Sequence, residues 1–261
     1  MDRADFTEDA IKSAPSVQSV DKMASLPASI SKVRDRIAAA AQRAGRDPSE
    51  ITLVAVTKTH SAEVVRAAAE AGLRDFGENR IEEASPKIAA VGRGDVHWHM
   101  IGHVQSRKAL PVARAGFALV HSVDSLKLAG RLSRYATETG RVQPILLECN
   151  VSGEAAKEGF AAWGGPARWE TLLPEWEKIR TLSGVQVRGL MTMAPSVPES
   201  EAARPVFQRL RELRDYLRAH LPLAGGNWRE LSMGMTDDFE AAIAEGATIV
   251  RIGRAIFGER G

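Results

Sequence analysis

One amine in this chain stands where an amine could do chemistry. In LVAVTKT, residues 53–59, an apolar run reads as a buried strand and Lys58 follows it between two threonines. Desolvation at such a strand end lowers a lysine pKa and favours nucleophilic attack on a carbonyl. The competing reading is a rim lysine paired with a carboxylate such as Glu78. A second group of residues suits an anion. ELSMGMTDDFEAAI (230–243) runs from a strand through small residues into a helix start, and VRIGRAIFG (250–258) runs from a strand through Gly253 into a turn. Backbone N–H groups at helix starts point at anions, and the helix dipole favours their charge. Gly234 and Gly253 let the backbone come close, and Ser232 adds a hydroxyl. Against this, the glycines could serve turns alone. His97 and His99 share one side of a strand, as two metal ligands would, but no third ligand stands out.

These residues need a scaffold. Strand patterns fall at 51–58, 74–79, 96–102, 118–123, 143–151, 185–194, 230–235 and 248–258, with helical patterns between most of them. The strands are apolar rather than alternating, as in a parallel sheet buried on both faces. Ser61 and Thr236 stand where helix N-caps belong, and Gly72 and Gly246 where helices stop. Eight βα units in about 210 residues fit a single closed (β/α)8 barrel of the TIM type. An open doubly wound sheet is the alternative, but no G-x-G-x-x-G follows the first strand. The helical spacing of Ile30, Val33, Ile37 and Ala41 predicts a helix before the barrel. Residues 1–27, polar and containing Pro15 and Pro27, read as a flexible tail, with the barrel domain spanning 28–261. FAAWGGPARW (160–169) reads as a lid or a loop.

In such a barrel, function gathers at the C-terminal strand ends, and phosphate sites use the loops after the seventh and eighth strands. Barrel closure sets those loops beside the first strand. An aldehyde carrying a phosphate would bridge them and Lys58, and pyridoxal phosphate (PLP) is such a molecule.

Composition limits the alternatives. Lys and Arg number 35 against 33 Asp and Glu, so a basic surface for nucleic acid or membrane has no support. The single cysteine, Cys149, excludes an internal disulfide and reads as a core residue. No apolar run reaches the ~20 residues that span a bilayer. A cytoplasmic protein is expected.

LVAVTKT, FGENRIEEASPKI, WHMIGHVQSRK, HSVDS, VRGLMTMAP and LSMGMTDDFEAAIAEGATIVRIGRAIFG together resemble the pyridoxal phosphate homeostasis protein family over about residues 29–258. The resemblance implies a PLP-binding barrel of fold type III, related to the N-terminal domain of alanine racemase. It implies an internal aldimine on Lys58. Ser232 and the backbone around Met233, Gly234, Ile252, Gly253 and Arg254 would hold the phosphate. Arg251 would face the pyridine nitrogen, and Asn79 and Met191 would line the ring. An arginine there keeps its proton, so the ring nitrogen stays unprotonated. His99 and Gln105 fall in family motifs as well. Arg107 and Arg254 depart from the pattern, and Arg254 stands where a small hydroxyl residue is frequent. The implied role is storage, buffering or delivery of PLP by a monomer, with PLP-dependent apo-enzymes as candidate recipients. A fold-type III racemase or decarboxylase is the alternative. Against it, Tyr135 and Tyr216 both fall in helical patterns, away from the strand ends where a second acid/base would stand. The chain also ends just after the eighth strand, without the second domain of those enzymes.

Overall fold

Alternation along each strand separates an inner from an outer layer. In β1 (Thr52–Val56), Val54 faces the barrel interior while Leu53 and Ala55 face the helices. A computed structural model describes residues 17–195, 199–222 and 228–259, the side chains of 17–22 excepted. The further barrel strands are β2 (Asp75–Glu78), β3 (His97–Met100), β4 (Leu119–Val123) and β5 (Gln143–Asn150), then β7 (Val185–Met191), β8 (Glu230–Ser232) and β9 (Ile249–Ile252). A two-residue strand, β6 (Phe160–Ala161), pairs with the rim of β5. All pairings are parallel, β4 pairs with β5, and β1 pairs with β9. Those two pairings close the ring and rule out the open doubly wound sheet.

The outer layer consists of α2 (Ala62–Glu70), α3 (Ile81–Val91), α4 (Ala109–Ala115), α5 (Leu126–Glu138), α6 (Pro166–Arg180), α7 (Arg204–His220) and α8 (Phe239–Ala244). After β9 only a single turn follows, α9 (Arg254–Phe257). The place beside it is filled by α1 (Val17–Arg43), which packs on α2, α8 and α9. The tail expected through residue 27 is therefore corrected from Val17 onward, and residues 1–16 lie outside the described residues. Leu26 is fully buried one turn before Ile30, so the apolar stripe begins earlier than Pro27 suggested. Pro27 lies inside α1, where it removes one backbone hydrogen bond. The FAAWGGPARW segment forms β6 and the start of α6 rather than a lid, with Trp169 buried and its indole donating to Ala162 O at 2.8 Å.

The inner layer holds five apolar residues, Val54, Leu119, Leu146, Met191 and Ile249. Around them sit buried polar groups, among them His99, His121, Glu148, Ser232 and Arg251. A register shift in the β5–β7 pairing passes over Arg188, which leaves Val187 with the outer core and turns Met191 inward.

Candidate functional site

The closing seam β1–β9 opens upward into a cavity of about 460 Å³, lined by Val56, Lys58, His60, Met235, Thr236, Asp237, Arg251, Gly253, Arg254, Gly258 and Glu259. That volume suits a small organic ligand. Lys58 follows β1, Arg251 lies within β9, and Gly253 and Arg254 begin α9. A Cβ at Gly253 would stand 3.4 Å from Val56, in ordinary van der Waals contact across the seam. Arg254 pairs at the rim with the exposed carboxylates of Asp237 and, at 3.4 Å, Glu259.

Lys58 does not depend on Glu78 for a partner. Glu78 is fully buried and belongs to Lys87 of α3, whose Nζ donates to Glu78 Oε1 at 2.8 Å, Glu83 Oε1 at 2.6 Å and Thr57 O at 2.7 Å. Thr57 Oγ1 donates to the same Glu78 oxygen at 2.5 Å, and Thr59 N–H donates to Glu83. This network grips both neighbours of Lys58. Thr59 has φ +69°, a left-handed conformation that a non-glycine residue holds only when its surroundings enforce it.

Beneath the cavity a chain of hydrogen bonds crosses the barrel. Arg251 Nη1 donates to Ser232 Oγ at 2.6 Å, and Ser232 Oγ stands 2.8 Å from His121 Nδ1. His121 Nε2 lies 2.9 Å from His99 Nδ1, and His99 Nε2 lies 3.0 Å from Asp75 Oδ1. The ends set the direction: guanidinium only donates and carboxylate only accepts. Each neutral imidazole then carries its proton on Nε2. Burial holds the His121 pKa well below its ordinary value, and the charge of Arg251 adds to this. Burial also pushes Arg251 down to about 10, which leaves it cationic at neutral pH. Its Nη2 donates to Thr192 O at 3.0 Å.

A family model described as alanine racemase, N-terminal domain, matches residues 29–261. A pyridoxal phosphate homeostasis protein of Pseudomonas aeruginosa is 45% identical over 238 residues, which are 91% of this chain and 97% of that relative. One from Aquifex aeolicus is 41% identical, covering 88% and 96%. This chain belongs to the pyridoxal phosphate homeostasis protein family. The structure of PipY of Synechococcus elongatus with PLP bound superposes on this family member with a TM-score of 0.72 at 36% identity, covering 87% of this chain and 100% of PipY. Alanine racemase of Clostridium difficile shares the fold, with a TM-score of 0.63 at 15% identity over 81% of this chain and 56% of its own.

In this homeostasis-family chain, four of the residues singled out in the sequence share the cavity: Lys58, Arg251, Gly253 and Arg254. The others take supporting places. Ser232 is fully buried and its hydroxyl is committed to Arg251 and His121, so the hydroxyl in the cavity is that of Thr236. Thr236 is not the helix cap expected. Asp238 is, and its carboxylate accepts from Met235 N at 2.6 Å. Met233 and Ile252 are buried in the outer core, and Met191 sits in the inner apolar cluster. Gly234 shapes the loop with φ +94°, and a Cβ there would come 2.6 Å from Ala242 Cβ. Asn79 follows β2 directly and lies against Gly102, outside the cavity lining. Gln105 is exposed and accepts from Arg107 at 3.0 Å. His97 and His99 converge on one oxygen of Asp75, at 3.2 and 3.0 Å. His60, whose ring is tilted against Phe257 with centroids 4.8 Å apart, was not anticipated, nor was Glu148. A lone carboxylate inside the apolar run LLECN was the available signal for Glu148.

Proposed function

We propose that this chain holds pyridoxal phosphate in the β1–β9 cavity and serves in storing, buffering or delivering it. The observation that carries the reading is the shared cavity of Lys58, Thr236, Arg251, Gly253 and Arg254, in a chain 36% identical to a protein solved with PLP bound. PLP supplies an aldehyde that a lysine amine can bond and a phosphate dianion that cations and N–H groups can bind. Lys58 presents the amine, held in place through Thr57 and Thr59. α9 starts at the seam, where Gly253 and Arg254 line the cavity with Thr236 and offer backbone N–H groups and a hydroxyl to an anion. Arg254, released from Asp237, adds a positive charge for the phosphate. Arg251 keeps its proton and remains a donor toward the ring.

The carrier role is favoured over racemase or decarboxylase chemistry by the positions of the two tyrosines. Tyr135 lies in α5 and Tyr216 in α7, both in the outer layer, so neither phenol reaches the cavity. A monomer in the cytoplasm, with apo-forms of PLP-dependent enzymes as recipients, completes the reading. Among the described residues, no helix is long and apolar enough to cross a membrane.

Incubation with PLP followed by borohydride and peptide mapping tests the site. The label is expected on Lys58 and absent from Lys58→Ala. A protein that stays colourless with PLP, or carries the label elsewhere, refutes it. Turnover of L-alanine, L-lysine or L-ornithine at about 1 per second or more would defeat the carrier role.

A further inference from the structure

A second cavity, of about 190 Å³, lies at the other end of the barrel. Its lining includes the first residues of five strands, Thr52, Asp75, Leu119, Glu230 and Ile249. That places it at the N-terminal mouth, below the Lys58 cavity. The hydrogen-bonded chain from Arg251 to Asp75 joins the two. Arg251 lines the upper cavity, and His99 and Asp75 line the lower one. Between those ends Ser232 and His121 are fully buried and His99 is 5% exposed, so water does not replace a broken bond.

Such a chain has a direction, and each member depends on it. Ser232 Oγ accepts from Arg251 and commits its single proton to His121 Nδ1. His121 Nε2–H donates to His99 Nδ1, and His99 Nε2–H donates to Asp75. Adding one proton reverses the upper half. His99 then carries protons on both nitrogens, and its Nδ1–H points at His121 Nε2. A neutral His121 must now carry its one proton on Nδ1, facing Ser232 Oγ. That oxygen receives from Arg251 and His121 at once, and the Ser232 proton is left without an acceptor in a buried site. Relief requires Ser232 to turn, and the guanidinium bonded to it at 2.6 Å loses its hold.

The surroundings direct the added proton to His99. Asp75 of β2 accepts from His99 at 3.0 Å and from His97, on the same strand as His99, at 3.2 Å. Burial disfavours the Asp75 charge, but the two histidines outweigh it and hold its pKa below the ordinary carboxylate value. An anion therefore stands beside His99. On the β4 side His121 is kept neutral, chiefly by burial. Arg188 of β7 and Glu230 of β8 also line the lower cavity, paired at 3.6 Å, so together they bring no net charge to it.

We propose, on the PLP reading of the upper cavity, that Ser232, His121 and His99 are positioning residues for Arg251, and that a proton taken up at the lower mouth weakens ligand binding at the upper one by reversing this chain.

Two readouts test it. 15N NMR of ligand-free protein with labelled histidine reads the tautomers. At about pH 8 both His99 and His121 are expected as Nε2–H. As the pH falls to about 5, His99 should become doubly protonated while His121 passes to Nδ1–H. PLP affinity by equilibrium dialysis over the same range should fall about tenfold more in the wild type than in His99→Gln, which cannot take up the proton. His97→Gln, which shares Asp75 but lies outside the chain, should keep the wild-type response. Borohydride labelling runs in parallel. An unlabelled Lys58 refutes the PLP reading and the effect on affinity with it. A labelled Lys58 with equal pH responses in wild type and His99→Gln refutes the coupling alone. A His121 that stays Nε2–H throughout overturns the proposal without any variant, and so does a response that His97→Gln abolishes.

Discussion

Replacing Lys87 by methionine tests whether the ground under Lys58 is as rigid as its contacts imply. The ammonium makes three charge-assisted hydrogen bonds of 2.6–2.8 Å, one to fully buried Glu78. Net of desolvation, hydrogen bonds to charged groups contribute about 1.5–3 kcal/mol each. Removing one partner of a buried pair costs about 3–5 kcal/mol. The low end is expected here, because Glu78 can escape by protonation. Burial already raises its pKa, against the hydrogen bonds from Lys87 and Thr57 that lower it. Without Lys87 it rises further. A raised folded-state pKa means stability that is present at low pH and lost as pH climbs through that pKa. Lys87→Met should therefore lose about 3 kcal/mol at pH 7.5 and clearly less at pH 5. Lys87→Met with Glu78→Leu should recover most of the loss, since an apolar pair of similar size needs no counter-charge. Urea unfolding followed by tryptophan fluorescence measures both. A loss under about 1 kcal/mol at pH 7.5, or a double variant no more stable than the single, would refute the reasoning. Borohydride-fixed PLP on Lys58 should also fall in Lys87→Met, because Thr57 and Thr59 lose their restraint.

Ser232→Ala leaves Arg251 Nη1 and His121 Nδ1 without their shared partner. About 2 kcal/mol of stability should go, and an unchanged urea midpoint would contradict the hydrogen-bond chain. Gly234→Ala forces a Cβ to 2.6 Å from Ala242 Cβ at φ +94°. A loss of about 1–3 kcal/mol in thermal melts is expected, together with weaker PLP uptake. Cys149 is buried, and burial pushes its thiol pKa up, so Ellman's reagent should label it only as fast as the protein unfolds. Immediate labelling of the native protein would be inconsistent with that placement.

The barrel and the amine were legible because both follow from strand ends. Lys58, Arg251, Gly253 and Arg254 meet because the barrel closes between β1 and β9, and eight apolar runs were enough to predict that closure. Side-chain direction was harder. β8 spans only Glu230–Ser232, too short for a pattern to show that Ser232 turns inward. Met191 changes layers through the shift past Arg188, a bulge that no period records. Thr236 was read as a cap because TDD offers three capping side chains, but the helix begins only after Asp238, which makes no side-chain capping bond to it. Pro27 read as a boundary, although Leu26 continues the buried stripe beyond it. Glu78 and Lys87 are nine residues apart on a strand and a helix, and nothing in the sequence shows that they share a buried bond.

The helix that flanks the closing seam comes from residues 17–43, and the strand it flanks comes from residues 249–252. On the ribosome these segments emerge at opposite ends of synthesis. The apolar stripe of α1 therefore leaves the tunnel long before α8, α9 and β9 exist to cover it. Sheet growth from β1 through β8 can proceed on local βα units, but among the described residues ring closure is the strand pairing of longest range, and it waits for the last strand. Such late, non-local steps slow folding and expose sticky surface in the interval. Because the cavity is built on that same seam, the ligand site is completed in the final folding event, and a ligand bound there would favour the closed ring over the open one.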